Sequence, residues 1–155
     1  MFETRWVATT CRDAGIRPHQ EGVALWSGSG ASWSYAGGDA FTRELAGGGS
    51  KMYRILTDYA SASDSNAPVQ RFDGSSWDTI GSFGNLRQVH ATGPNVDVLD
   101  GAHAVHVLGR PGWTRIDDAP FVAVNRLFGS YGHLFGMTSN GTVHAYESGA
   151  WTSRH

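Results

Sequence analysis

The sequence predicts an all-β fold, specifically a β-propeller of four four-stranded blades of about 36 residues each. Three observations point there. Gly accounts for 21 of the 155 residues and stands among six Trp, five Tyr and seven Phe. Many turn-formers with many large flat side chains is the texture of short packed strands, and disordered chains lack such aromatics. Short apolar runs are separated by turn signals such as Asn140-Gly141 and Asp100-Gly101. Bulky rings recur at Trp6, Phe41, Trp77, Trp113 and Trp151, in steps of 35, 36, 36 and 38 residues.

The clearest copy is the last. Leu134 to Tyr146 reads as a hairpin around Asn140-Gly141, and Trp151 opens the next strand. Asn-Gly is a strong signal because a type I′ turn needs φ > 0 at both central residues. The third copy runs from Val96 to Leu108 with Trp113 five residues on, and the second pairs Phe72 with Trp77 at the same offset. The first holds Val23 to Trp26, then Trp33 and Tyr35, with Phe41 at the expected Trp position. Another short run precedes the central hairpins, clearest at Leu86–His90 and Phe121–Asn125, and completes four strands per unit.

The expected units are therefore roughly 7–46, 47–82, 83–118 and 119–155 in a single domain, with residues 1–6 as an extra outer strand. A unit this small cannot bury its own faces, so neighbouring units must stack through the repeated aromatics. Two closures stay open: a four-bladed ring with a spare strand, or a larger ring completed by homo-oligomerisation. A polar stretch, Asp58 to Pro68, is expected to form a long surface loop.

Composition excludes several classes. Net charge is −2 and the 12 basic residues are scattered singly, so no stripe is available for nucleic acid. Cys11 is the only cysteine, which rules out an internal disulfide or a Cys-rich zinc site and leaves a buried small side chain as the expectation. No apolar run is long enough for a membrane span, and Met1–Trp6 has no signal-peptide h-region, so a cytoplasmic location is the default expectation.

No catalytic constellation stands out. Gly28-Ser29-Gly30 lacks the context of a nucleophile elbow, and Gly47–Ser50 lacks the lysine of a phosphate loop. Asp117-Asp118 reads as a turn, and Asn140-Gly141-Thr142 is a formal glycosylation sequon explained by its hairpin. The seven histidines contain no metal-binding motif, and His103 and His106 would fall on opposite strand faces. No metal or cofactor is expected.

The run Phe72-Asp73-Gly74-Ser75-Ser76-Trp77-Asp78-Thr79-Ile80, with its aromatic-x-Gly-x-x-Trp-x-x-Ile texture, resembles the repeats of tectonin and tachylectin-like propellers. The resemblance covers residues 23–151. It lacks the marks of WD, kelch and Asp-box repeats, and it implies glycan binding at sites repeated on or between blades.

Aligning the hairpins places Trp33, Gln70, His106 and His144 at one position, each two residues before an apolar anchor and on the same strand face. Rings and amides suit a sugar, which offers apolar C–H faces and hydroxyl groups. Trp26 and Tyr146 join them as candidate ligand-binding rings. The competing expectation for the same positions is a half-buried residue between blades with its polar atoms satisfied internally. Three functions follow: a non-catalytic glycan- or small-ligand-binding propeller, a protein-interaction scaffold relying on loops such as 58–68, or an enzyme with a pocket near the axis, drawing on His90, Asn125, Arg87 and Arg126.

Overall fold

The computed structural model describes residues 6–12, 21–27, 33–35, 41–48, 51–57, 66–92, 95–116, 124–130 and 132–154; for residues 6–35, and for 41, 48 and 57, it describes the backbone alone. All the regular structure among these residues is β. The first sheet has three strands, β1 (Trp6–Arg12), β2 (Glu21–Ser27) and β3 (Trp33–Tyr35). The second has four: β4 (Phe41–Gly48), β5 (Lys51–Thr57), β6 (Ala67–Phe72) and β7 (Trp77–Phe83). The third contains β8 (Gln88–Thr92), β9 (Asn95–Leu99), β10 (Val105–Leu108) and β11 (Trp113–Arg115). The fourth contains β12 (Val124–Ser130), β13 (His133–Thr138), β14 (Val143–Glu147) and β15 (Ala150–Arg154).

Every sheet is an antiparallel meander, the order that short turn-rich connections impose. The registers superimpose. Phe72 opposes Trp77, Leu108 opposes Trp113 and Tyr146 opposes Trp151, as the equal offsets predict. Trp26 opposes Trp33 in the same way. That last pairing corrects the reading of the first copy. Trp33, not Phe41, opens the outer strand of the first sheet, because the turn after Trp26 is two residues longer than those after Phe72, Leu108 and Tyr146. Phe41 instead begins the first strand of the second sheet, and Trp6 begins a strand paired with β2 inside the first sheet. The boundary expected near residue 46 therefore falls before Phe41. Of the expected 58–68 loop, Ala67 and Pro68 lie in β6, and 58–65 lie outside the described residues.

Turn chemistry also departs from expectation. Among the Asn140-Gly141 pair only Gly141 has positive φ, at 85°, and its N–H donates to the Thr138 carbonyl at 3.0 Å. The two-residue type I′ hairpin lies at Ser148-Gly149, with φ of 53° and 84°, between the paired residues Glu147 and Ala150.

The sheets stack face on face. Tyr53, Ile55 and Val69 of the second sheet pack with Val89, Val96 and Val98 of the third. Leu99, Val105 and Ile116 carry the third sheet onto Leu127, Leu134 and Trp151 of the fourth. With both faces covered, the third sheet has four consecutive buried residues, Val96 to Leu99, where a half-exposed strand would alternate. For each sheet, the face toward its successor is called forward and the face toward its predecessor rear.

Two polar contacts recur at these junctions. Trp113 donates its indole N–H to the Ile80 carbonyl at 2.7 Å, and Trp151 donates to Ile116 at 2.9 Å. At the first strands, Glu44 accepts from the Val89 N–H at 2.9 Å. The Gln88 amide there both donates to the Leu127 carbonyl at 2.8 Å and accepts from the Leu127 N–H at 2.6 Å. Glu44 and Gln88 hold the same register position, opposite Ile55 and Leu99, and so do Val89 and Leu127. One step thus relates the second sheet to the third and the third to the fourth. Among the described residues the four sheets do not close into a ring.

Candidate functional site

Gln70, His106 and His144 occupy one register position: third strand, rear face, two residues before the anchor. Ala24 takes that position in the first sheet, so Trp33 is not their equivalent. The side chains of Trp26 and Trp33 lie outside the described residues.

Each position has a different environment. The Gln70 side-chain oxygen Oε1 accepts from Arg54 Nε at 2.9 Å and Nη2 at 2.8 Å, and its Nε2 donates to Thr79 Oγ1 at 3.2 Å. Arg54 is buried and lies 4.1 Å above the Trp77 ring, a cation–π contact that holds the guanidinium in place. Gln70 is thus a spacer across β5, β6 and β7, with its amide groups already engaged. His144 lies opposite Gly136 and Ser153 on the face directed at the third sheet, and Tyr146 packs on Trp151 with ring centroids 5.2 Å apart.

His106 has the most chemical character. Its Nε2 lies 3.0 Å from Asp100 Oδ2, and both side chains are about one-sixth exposed. The other oxygen, Asp100 Oδ1, accepts the N–H groups of Ala102 and Ala104, each at 2.9 Å, so the turn between β9 and β10 aims the remaining oxygen at the imidazole. Phe83, at the end of the preceding sheet's outer strand, packs against the His106 ring at 4.7 Å with the planes tilted by 47°, and meets Trp113 edge-on at 5.1 Å. A carboxylate, an oriented imidazole and two aromatic rings therefore converge where the second and third sheets meet.

Asp100 and Phe83 were not singled out by sequence. Asp100 reads as an ordinary turn residue, and Phe83 belongs to the neighbouring unit. The expected opposition of His103 and His106 on one strand does not occur. His103 sits in the turn at φ 66°, with Nδ1 2.8 Å from the Val124 carbonyl.

A second acidic group lies between the first strands. Burial raises the Glu44 carboxyl above its ordinary value, opposed by its bond to the Val89 N–H and by Arg43, Arg126 and His90. Beside it, His90 Nδ1 and Asp97 Oδ2 face each other at 3.5 Å, both buried, without forming a hydrogen bond. Among the described residues no group of three or more His, Cys, Asp and Glu side chains could hold a metal ion. No described helix is long and apolar enough to cross a membrane.

No family model matches the chain, and no curated protein matches it. The crystal structure of human WBSCR16 superimposes with a TM-score of 0.53 at 14% identity, covering 94% of this chain and 48% of that one. At that identity the likeness concerns the fold alone, and the chain spans about half the length of the structure it matches.

Proposed function

We propose that the chain is a set of β-propeller blades with a non-catalytic, lectin-like role, binding a glycan or another small hydroxyl-rich ligand at a junction between sheets. The propeller reading is supported by the recurrence of one inter-sheet step and by the likeness to WBSCR16, of an RCC1-like β-propeller family. The observation that carries the binding reading is the Asp100–His106–Phe83 group. Its polar pair supplies donors and acceptors for hydroxyls, and its ring faces suit the C–H face of a sugar. Gln70, whose amide is engaged within its own sheet, is a supporting residue in this reading, and the site is a single one at the second junction.

A glycan array with the purified chain, followed by calorimetry on any hit, tests this. Asp100→Asn keeps the acceptor for Ala102 and Ala104 while removing the carboxylate charge beside His106. That change and His106→Ala are each expected to weaken binding at least about tenfold, the scale of one charge-assisted hydrogen bond. A blank array, or affinity unchanged in both folded variants, rules the reading out.

A further inference from the structure

The junction between the second and third sheets carries a charge that the repeat does not explain. Arg115, in β11, lies directly opposite His106 in β10, on the same rear face. That register position holds Tyr35, Thr79 and Ser153 in the other sheets, none of them charged at neutral pH. Directly opposed residues on one face have Cβ atoms about 4.5–5.5 Å apart, so the base of the Arg115 side chain adjoins the imidazole. Trp113 stands two residues earlier on the same face, and its ring meets Phe83, which also packs against His106. Arg115 therefore borders the Asp100–His106–Phe83 group along the outer strand, and it is exposed.

Asp100 is a second departure at the same place. Thr138 stands where it stands in the fourth sheet, in a turn with the same pair of backbone hydrogen bonds. Where the fourth sheet sets Thr138, His144 and Ser153, the third sets Asp100, His106 and Arg115. Two opposite charges thus flank one histidine, and only in this sheet.

These charges are not equally available. Asp100 Oδ1 accepts two backbone N–H groups and Oδ2 faces His106 Nε2 at 3.0 Å, so the carboxylate is engaged within the protein. Arg115 extends from an exposed strand, and its guanidinium stays charged at every relevant pH. Its planar fork of donors matches a carboxylate through two parallel hydrogen bonds.

We infer that the ligand of this junction is an acidic sugar, its carboxylate held by Arg115 while its ring lies against Phe83 and its hydroxyls reach the Asp100–His106 pair. This class of ligand presupposes the glycan-binding reading above and narrows it to carboxylated glycans, such as those ending in a uronic acid. Arg115 is then the residue that sets specificity. Without it, an acidic sugar would meet the Asp100 carboxylate with no cation of the protein assigned to its own charge.

Paired oligosaccharides differing only in a terminal hydroxymethyl or carboxylate, glucose against glucuronic acid and galactose against galacturonic acid, are titrated into the chain by calorimetry. The acidic member is expected to bind at least about tenfold more tightly, the scale of one charge-assisted hydrogen bond. That preference is expected to shrink as salt rises from about 0.05 to about 0.5 M, because an exposed charge is screened. Arg115→Gln is expected to keep the parent's circular dichroism and to erase the preference. Arg115→Lys is expected to keep part of it, since an ammonium is a point charge without the fork. Equal binding of both members by the parent, or a preference for the neutral one, overturns the acidic ligand and leaves glycan binding standing. An acid preference that survives Arg115→Gln overturns it as well, by placing the carboxylate elsewhere. If neither member of any pair binds, the acidic ligand and the glycan reading fall together. Should Arg115→Gln fail to fold, the parent's salt dependence decides, and an acid preference indifferent to salt overturns the assignment.

Discussion

Trp151 and Ile116 are joined by an indole-to-carbonyl bond of 2.9 Å that crosses from one sheet to the next, and Trp113 makes the same bond to Ile80. The recurring Trp is thus a spacer ring that also supplies a polar tie between neighbouring outer strands. Replacing Trp113 or Trp151 by Phe keeps a ring and removes the donor, leaving a carbonyl unpaired at a packed junction. Each change is expected to cost about 1–3 kcal/mol by urea denaturation. Gly81 checks the same contact from the opposite side. A Cβ there would fall 2.4 Å from Trp113 Nε1, so Gly81→Ala is expected to destabilise by about 1–3 kcal/mol through overpacking.

Glu44 holds the Val89 N–H with a carboxyl that burial pushes upward. An acid with a raised folded pKa contributes stability that is complete below its ordinary value of 4.5 and is lost as pH rises through the folded value. Glu44→Gln keeps an acceptor for Val89 and removes the charge, copying the Gln88 clamp on Leu127 one junction later. The variant is expected to be more stable than the parent at pH 7 and indistinguishable from it below pH about 4. Thermal midpoints across that range check it; a variant less stable at pH 7 refutes the account.

Much of the fold could be read from the chain because the repeat is carried by rings at fixed offsets. Phe72–Trp77, Leu108–Trp113 and Tyr146–Trp151 each oppose across the turn, as spacing alone implies. Alternation also placed Gln70, His106 and His144 on one face. The first copy was misaligned because seven residues, not five, separate Trp26 from Trp33, while Trp6 and Phe41 happen to fall on the same step. The Glu44 and Gln88 clamps were not legible. In β4 the register shifts between Thr42 and Glu44, a local irregularity that strand periodicity does not anticipate. Asp100 stands where Thr138 stands in the fourth sheet, in a turn with the same pair of backbone hydrogen bonds, so the turn recurs there while the carboxylate does not, and no repeat marks it.

Asp73 organises the turn between β6 and β7. Its Oδ1 accepts from the Ser76 and Ser75 N–H groups at 2.8 and 2.7 Å, which hold the carboxyl down to about 2 from the usual 3.8. A depressed acid contributes stability that is complete above the ordinary value and lost as pH falls through the folded one. A carboxyl-carbon NMR titration is expected to place the Asp73 midpoint near 2. Asp73→Ala is expected to lose stability between pH 5 and pH 2 less steeply than the parent, a window set by the two pKa values. A midpoint near 3.8 refutes the turn's hold on the charge.

His90 and Asp97 fill the forward-face slot that Ala46 and Tyr53 fill in the second sheet and Phe128 and Phe135 in the fourth. The fold therefore accepts an apolar pair at this register, and the polar pair in the third sheet is a departure from its neighbours. Asp97 is 2% exposed and its Oδ2 has no hydrogen-bond partner, so the nearby imidazole is its nearest compensation. His90→Ala alone is expected to destabilise by about 1–3 kcal/mol, the scale of leaving a buried polar group without its polar neighbour. The double change His90→Ala with Asp97→Tyr copies the second sheet's own solution and is expected to recover most of that loss, since replacing both partners of a buried polar pair by less polar groups can be nearly neutral or stabilising. Denaturant midpoints for the parent, the two single variants and the double variant form a complete cycle. A double variant no more stable than His90→Ala would show that the third junction needs the polar pair for its own packing, and that the slots are equivalent in register without being equivalent in shape.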